Sequence, residues 1–361
     1  MPGPDITRPK SDSPATFLSF MRYAIWLGAA VALLAQPFSG YAEWNPPHLQ
    51  SASAPSQPPQ SQSGATPANP TPQQPDDNGT YVIHKNVDEV LLHATVIDDK
   101  QHIVTNLDQN AFTVFEDGKP QKIISFHNED IPVSMGIVID NSGSMREKRS
   151  KVNAAALNLV RASNPQDEVF VVNFNDEYYL DQDFTNDLLK LKEALEKIDA
   201  RGGTALRDAL VASAEHLKQD AKLERKVLFV VTDGDDNASR ESLEDAVKQL
   251  QQENGPSVYA IGILGDEEHP KRARHALEII AQRTGGLAFF PKTLDEVDDI
   301  SRQVAHDIKN QYTIGYKPTN PRASGGFRTI RVEAKVKGRK LLVRTKSGYY
   351  AGVQPAAPGA K

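Results

Sequence analysis

The sequence contains no cysteine, and this absence excludes disulfide bonds, thiol catalysis and zinc–thiolate sites. The fold must therefore be held together by its hydrophobic core, and 39% apolar residues in a chain of 361 residues are enough for a sizeable one. Once a tail is set aside, this length has room for one large domain and one smaller domain.

The chain also lacks an excess of positive charge. Its formal net charge is -6 at pH 7, and residues of both signs are spread along the chain without a basic stripe. A protein that binds nucleic acid through its phosphates needs such a stripe, so we do not expect nucleic acid as a partner.

The N-terminal region has no hydrophobic run long enough for an ordinary membrane-spanning helix. The apolar run at residues 23–35 has the length of a signal-peptide core, with Arg22 before it and Pro37 after it. The small residues Gly40 and Ala42 suit a cleavage after Ala42, and a start at Met21 would give a signal peptide of ordinary length. We predict export to the periplasm, the cell surface or the medium. An uncleaved N-terminal segment that tethers the chain to a membrane is the alternative.

Composition and patterning divide the chain into six segments. The segment dense in Pro, Gln, Ser and Ala cannot bury enough apolar surface to fold and is predicted to be a disordered linker. Two segments with alternating polar and apolar residues, each too short to enclose a core, are predicted to pair into one small β-sandwich. The predicted boundaries are 1–42 for the signal peptide, 43–79 for the linker, 80–130 for the first part of the sandwich, 131–310 for a middle domain, 311–352 for the second part of the sandwich and 353–361 for a disordered tail.

The middle domain alternates short apolar runs with helical segments. Runs rich in β-branched residues at 133–139, 169–174, 227–231 and 258–264 are typical of strands covered on both faces. The segments between them repeat apolar residues every three or four positions, as amphipathic helices do. This alternation predicts a doubly wound, mostly parallel α/β sheet, inserted between the two parts of the sandwich.

Three polar clusters stand at strand ends or helix starts of this domain, where doubly wound sheets bind their ligands. Asp140, Ser142 and Ser144 follow the first strand, Thr204 opens a helix, and Asp233 follows a later strand. All five side chains offer oxygen, and a set with only two carboxylates suits Mg²⁺ better than zinc or copper. If the aspartates act mainly through water, the ion keeps positive charge and an open position that attracts a carboxylate from outside.

Two other interpretations of these clusters stay open. Without a metal, Asp140 and Ser142 would cap a helix and Asp233 would hold a turn. The spacing from Asp233 to Glu244 also imitates a calcium-binding EF-hand loop. Against that interpretation, Ala238 stands where the loop needs glycine, and a strand precedes it instead of a helix.

The pattern Asp140-x-Ser142-x-Ser144, then a separate Thr204, then Asp233 in a Thr-Asp-Gly turn, resembles the metal-ion-dependent adhesion site (MIDAS) of von Willebrand factor type A (VWA) domains. The resemblance implies a Rossmann-like sheet of six strands in the order 3-2-1-4-5-6, with a short antiparallel third strand at residues 178–184. It also implies that the two serines and the threonine coordinate Mg²⁺, or else Mn²⁺ or Ca²⁺, while the two aspartates bind directly or through water. An Asp or Glu of a protein partner would complete the coordination shell.

The flanking β segments resemble a bacterial exported group, the VWFA-related acidobacterial domain, in their layout and in the hairpin from Phe112 to Gln121. Together these features predict a binding module for adhesion or assembly that is not an enzyme. The alternatives are a hydrolase that uses the same ion as a Lewis acid, and a structural envelope scaffold whose metal site is silent. Gly-x-Ser-x-Gly, His-Glu-x-x-His and Walker sequences are all missing, which disfavours the hydrolase.

The last helix of the middle domain, predicted at residues 294–310, runs directly into the strand that begins at Tyr312. In the domains that this chain resembles, the last helix can shift when a ligand binds. The sequence therefore suggests that occupancy of the metal site is relayed to the predicted sandwich.

Overall fold

The computed structural model describes residues 89–197, 200–265, 269–321 and 324–352. The chain divides into two units, Met1–Gly79 and Thr80–Lys361, and all described residues belong to the second. The predicted signal peptide, linker and C-terminal tail lie outside the described ranges. Within those ranges, no helix combines the length and the apolar character that crossing a membrane requires.

Strands and helices alternate in the middle of the chain, and strands alone flank them. The strands are β1 (Val90–Asp98), β2 (Phe112–Glu116), β3 (Lys119–His127), β4 (Ser134–Asp140), β5 (Glu168–Phe174), β6 (Tyr178–Thr185), β7 (Lys226–Thr232), β8 (Ser257–Gly262), β9 (Ala288–Phe289), β10 (Tyr312–Lys317), β11 (Phe327–Ala334), β12 (Leu341–Arg344) and β13 (Gly348–Tyr350). The α-helices are α1 (Arg149–Ala162), α2 (Leu188–Glu196), α3 (Leu206–Asp220), α4 (Leu243–Leu250), α5 (Pro270–Thr284) and α6 (Glu296–Lys309).

The middle of the chain forms a six-stranded sheet in the order β6-β5-β4-β7-β8-β9. Strand β6 pairs antiparallel with β5, and the other pairings are parallel. This is the order that the family resemblance implies, with the antiparallel third strand at one edge. Helices α1, α2 and α6 pack on one face, and α3, α4 and α5 pack on the other. Cover on both faces explains why the strands are apolar at nearly every position.

The flanking segments pair with each other in one antiparallel sheet, in the order β12-β1-β10-β3-β2-β11-β13. Strand β10 comes from the C-terminal segment and lies between β1 and β3 of the N-terminal segment, so the predicted pairing of the two halves is observed. The predicted two-sheet sandwich is wrong, because these seven strands form one curled sheet around a single core. The physical reason lies in β1, which pairs with β10 up to Ala94 and with β12 from Thr95 onward. A shift of register between Gly315 and Tyr316 adds a further bend.

The turn between β2 and β3 is the hairpin that the sequence predicts. Asp117 and Gly118 both have positive φ, at 49° and 76°, as a two-residue type I′ turn requires. Asp117 also accepts the backbone N–H of Thr329 at 2.9 Å, which fixes the hairpin to the neighbouring strand β11.

A charged pair lies inside the curled sheet. The side chains of Arg328 and Glu116 are 1% and 2% exposed, and Arg328 Nη1 donates to Glu116 Oε1 at 3.2 Å. The hydroxyls of Tyr316 and Tyr349 donate to Glu116 Oε2 at 2.5 and 3.0 Å. Burial, with the negative charge of Glu116 acting in the same direction, raises the pKa of Tyr349 to about 12. Both hydroxyls therefore stay protonated and available as donors.

We expect Glu116→Gln to lower the free energy of unfolding by about 3 kcal/mol, because the guanidinium of Arg328 then stays buried without a counter-charge. Urea denaturation measures this loss. Glu333→Gln is the matched control, since Glu333 lies in the same sheet but pairs with Arg331 and Lys335 at the surface. That change is expected to stay below about 1 kcal/mol. Equal losses in the two variants would contradict the importance of the buried pair.

Candidate metal centre

The five predicted ligands stand on three loops at one edge of the six-stranded sheet. Asp140 ends β4, and Asp233 directly follows β7, the parallel neighbour of β4. Thr204 lies in the loop just before α3. Because parallel neighbours end at the same edge, the two carboxylates face each other across the crevice where the strand order reverses.

Hydrogen bonds connect the two aspartates through the loop after β4 that contains Ser142 and Ser144, here called the serine loop. Asp140 Oδ1 accepts the backbone N–H of Ser142 at 2.8 Å. The hydroxyls of Ser142 and Ser144 are 3.1 Å apart, and Ser144 Oγ donates to Asp233 Oδ1 at 2.8 Å. Four of the five side chains thus meet in one connected group.

The loop before α3 brings Thr204 to the same group. A Cβ placed on Gly234 would lie 3.7 Å from Thr204 Oγ1, so this hydroxyl is next to the Asp233 turn. The backbone N–H of Thr204 donates to Asn237 Oδ1 at 2.9 Å, which holds the loop in place. Gly202, with a φ of 75°, permits the bend, because a Cβ there would lie 2.1 Å from Asp176 Oδ2.

The two aspartates of the centre are buried, and one of its three hydroxyls is exposed to solvent. Asp140 and Asp233 are fully buried, Ser142 and Thr204 are nearly so, and Ser144 is exposed. Burial raises the pKa of Asp140 to about 6, and the charge of Asp233 acts in the same direction, while hydrogen bonds from Thr232 and Ser142 oppose the rise. Two buried carboxylates this close are stable together only beside positive charge.

Lys148 supplies part of that positive charge. Its ammonium donates to Asp233 Oδ2 at 2.5 Å, and its side chain is 24% exposed. Sequence analysis missed this contact because Lys148 belongs to a charged stretch, residues 146–151, that is typical of a solvated helix start. Its position one turn after the serine loop is the signal that would have found it.

Thr232, the first residue of the Thr-Asp-Gly turn, and Arg149 also hold the centre in shape, and the sequence analysis gave neither of them a role there. Thr232 Oγ1 donates to Asp140 Oδ2 at 2.5 Å, so both oxygens of this carboxylate are oriented. The buried Arg149 donates to Asn173 Oδ1 at 3.0 Å and to the carbonyl of Asp140 at 3.4 Å. These contacts fix the end of β4 before any ligand arrives.

The residues present fit a hard divalent cation. The oxygen separations of 2.8 and 3.1 Å around Ser144 are close to the roughly 3 Å between neighbouring ligands of octahedral Mg²⁺ with bonds of about 2.1 Å. The ammonium on Asp233 shows that this side of the centre accepts a cation. In the described ranges, no group of three or more His, Asp or Glu side chains is placed to hold a metal, so a cation bound here would need the hydroxyls as ligands.

The EF-hand-like alternative does not form. Asp236 accepts hydrogen bonds from Arg207 and Ser239, and Asn237 accepts from Thr204. Asp235 pairs with Arg272. Their side chains are therefore engaged with separate partners instead of facing one centre.

Comparison with known proteins finds similarity in the middle of the chain. A family model described as the von Willebrand factor type A domain matches residues 135–235, the stretch that contains all five candidate ligands. An uncharacterized protein of Synechocystis sp. (strain ATCC 27184 / PCC 6803 / Kazusa) is 25% identical over 112 residues. That match covers 30% of this chain and 27% of the relative, so it spans only about a quarter of the relative's length.

Solved structures with some similarity include several from bacteria. A von Willebrand factor type A protein from Catenulispora acidiphila is 14% identical, with 74% of each chain covered and a TM-score of 0.43. The PilB minor pilin from Streptococcus sanguinis is 16% identical, covering 50% of this chain and 62% of that one, with a TM-score of 0.40. The vWF domain of a type V pili tip protein from Porphyromonas gingivalis is 13% identical, covering 50% and 97%, with a TM-score of 0.40. At these values no function is transferred from them.

Proposed function

We propose that this protein is an exported binding module that holds a divalent cation and, through it, an acidic side chain of a protein partner. The cation is Mg²⁺, with Mn²⁺ or Ca²⁺ as alternatives, and its ligands are Asp140, Ser142, Ser144, Thr204 and Asp233. The observation that carries the proposal is the row of contacts from Ser142 Oγ to Ser144 Oγ at 3.1 Å, and from Ser144 Oγ to Asp233 Oδ1 at 2.8 Å.

The charge of the centre favours capture of an anion. The three hydroxyls add no negative charge, and where the two aspartates act mainly through water the ion keeps much of its positive charge, so it would attract a carboxylate from a partner. Ser144 is the exposed member of the group, so a partner would approach beside it. Lys148 would leave Asp233 when a cation binds, and its ammonium would contact the partner's acidic side chain.

A peptide library displayed on phage tests the proposal directly. Selection on the protein with Mg²⁺, followed by elution with EDTA, is expected to yield peptides that share an Asp or Glu. Binding should be lost when that residue becomes Asn or Gln, and also in the protein variant Thr204→Val. Thr329→Val is the matched control, because Thr329 is exposed on the curled sheet. Selected peptides without a carboxylate, or peptides that bind equally in EDTA, would contradict the proposal.

One observation gives the hydrolase alternative a specific test. His275 lines a small cleft of about 140 Å³ together with Gly234 and Asp235, next to the candidate centre. A hydrolase would use such a side chain to move a proton. Mg²⁺-dependent turnover of a phosphate or carboxylate ester that is lost in His275→Ala would favour that alternative over the binding module.

Export is part of the proposal and rests on residues 1–42, which lie outside the described ranges. N-terminal sequencing of the mature protein is expected to begin at Glu43. An intact N-terminus recovered with membranes would show the tethered form instead. If the exported protein bound neither Mg²⁺ nor acidic peptides, the structural scaffold would be the better description.

A further inference from the structure

A second cleft lies at the opposite end of β7 from the candidate metal centre. Its volume is about 440 Å³, and its walls come from β1, from the start of β7 and the loops before β7 and β8, and from Lys346 after β12. Lys226 is the first residue of β7 and Asp233 follows its last, so the length of the strand, roughly 20 Å, separates the two sites.

Three lysine side chains line this cleft: Lys222 at the exposed mouth, and Lys226 and Lys346 deeper in the walls. In the part of the chain that the structure describes, none of the three forms an ion pair. Two carboxylates also line the cleft. Glu89 accepts a hydrogen bond from the Ser125 hydroxyl on β3, and Glu224 is exposed at the rim.

Burial disfavours the charged forms of three of the titratable groups that line this cleft. Burial lowers the pKa of Lys346 to about 8, although Glu253 acts in the opposite direction. Burial also lowers the pKa of Lys226, with Lys218 acting in the same direction.

His93, on the β1 wall, shows the same effect. Burial lowers its pKa well below the usual value, and the positive charges of Arg225 and Lys346 lower it further. Its Nδ1 lies 3.2 Å from the hydroxyl of Thr313. Ammonium groups held in such surroundings are destabilised until an anion joins them.

We propose that this cleft binds a small anion that carries a phosphate group, held by the ammonium groups of Lys226 and Lys346. The lining contains lysines and no arginine, and a compact ammonium with rotating N–H donors serves a phosphate as a point charge, whereas planar carboxylates favour the fork of arginine. The volume falls in the range of small-molecule pockets, and Leu91 and Leu223 provide apolar walls for a short organic body. A soluble phosphate ester and a lipid headgroup share this chemistry.

The two lysines belong to different sheets. Lys226 begins a strand of the six-stranded sheet, while Lys346 follows β12 of the curled sheet. A phosphate held between them would therefore join the two sheets and stabilise their contact, in the way that any ligand specific to the folded state does.

Isothermal titration calorimetry with the full chain tests the site, in buffer with EDTA so that the metal centre does not contribute. The probes are inorganic phosphate, glycerol phosphate and vesicles that contain phosphatidic acid. We expect saturable binding of at least one probe, weakened at least about tenfold in the Lys226→Met, Lys346→Met double variant. Binding of vesicles alone would assign the headgroup as the source, and binding of the soluble esters would assign a free metabolite.

Lys192→Met is the matched control, because Lys192 is an exposed lysine of α2 that pairs with Glu196 and does not line the cleft. It should bind as the wild type does. The NMR titration of the His93 ring gives a second readout, since phosphate in the cleft should raise its pKa and phosphate on surface lysines should not. Absence of saturable binding for all three probes, equal affinity in the double variant, or an unmoved His93 titration would overturn the proposal.

Discussion

Replacing Ser142 and Ser144 together with alanine is expected to abolish the stabilisation of this protein by Mg²⁺. In the wild type, Mg²⁺ at a hundredfold excess over its dissociation constant should raise the free energy of unfolding by about 2.7 kcal/mol. The double variant removes two hydroxyls that are 3.1 Å apart, one of which holds Asp233 Oδ1. Only Asp140, Thr204 and Asp233 then remain of the five proposed ligands, so the stabilisation should fall to nearly zero.

The fold of this variant is expected to survive. Ser142 stands at the start of a short 3₁₀ helix, Gly143–Met145, but its side chain makes no capping hydrogen bond, and Ser144 is exposed. Circular dichroism without metal should therefore match the wild type. Ser150→Ala, an exposed serine on α1, is the control and should keep the full response to Mg²⁺.

Thermal denaturation across a Mg²⁺ titration separates the outcomes. A wild-type melting temperature that does not move would mean that the five oxygens do not form a Mg²⁺ site. A shift of equal size in the double variant would place the ion elsewhere in the molecule. Repeating the titration with Mn²⁺ and Ca²⁺ ranks the three ions, because Ca²⁺ prefers more and longer oxygen contacts than this centre offers.

The six-stranded sheet was predictable because its signals are local. Each parallel strand is a short apolar run, since helices cover both of its faces, and each helix repeats its apolar residues at the helical period. The placement of Asp140 and Asp233 at strand ends follows from the same patterns. Strands β9 and β13 are too short to show a repeating pattern of apolar residues, so the sequence did not predict them.

The shape of the flanking sheet was not predictable in the same way. Alternation along β1 shows that it is a strand, but it does not show that the partner changes from β10 to β12 at Thr95. That exchange depends on contacts between residues about 220 and 250 positions apart. The same limit applies to Lys148, whose contact with Asp233 exists only because two distant loops meet.

The contact between the two sheets depends on a buried polar network at the end of α6. Asp307 accepts the hydroxyl proton of Tyr259 from β8 at 2.5 Å and is held by Arg344 of β12 at 2.5 and 2.6 Å. Gln311 Nε2 donates to the same Tyr259 oxygen at 3.0 Å and to Thr95 Oγ1 at 3.3 Å. The end of α6 is thus bonded to the six-stranded sheet and to the curled sheet at once.

Two helices, α1 and α6, connect the serine loop to this network. Helix α1 begins a few residues after the serine loop and packs against α6, where Asn158 Nδ2 donates to Asp298 Oδ1 at 2.7 Å. Any shift of the serine loop on cation binding would be passed to α6 by this contact. This path gives a structural basis to the relay from metal site to flanking sheet, which stays a prediction until coupling is measured.

Asp307→Ala is expected to lower the free energy of unfolding by about 5 kcal/mol, because it leaves the guanidinium of Arg344 and the hydroxyl of Tyr259 without their shared acceptor in a buried junction. Asp299→Ala on the exposed face of the same helix should change the free energy of unfolding by less than about 1 kcal/mol.

Hydrogen exchange with these two variants tests the relay from the metal centre to the curled sheet. In the wild type and in Asp299→Ala, saturating Mg²⁺ should slow exchange across residues 303–316, whereas in Asp307→Ala, kept folded at low temperature, protection should stop before β10. If the exchange rate of residues 303–316 in the wild type is the same with and without Mg²⁺, the metal centre is not coupled to the curled sheet.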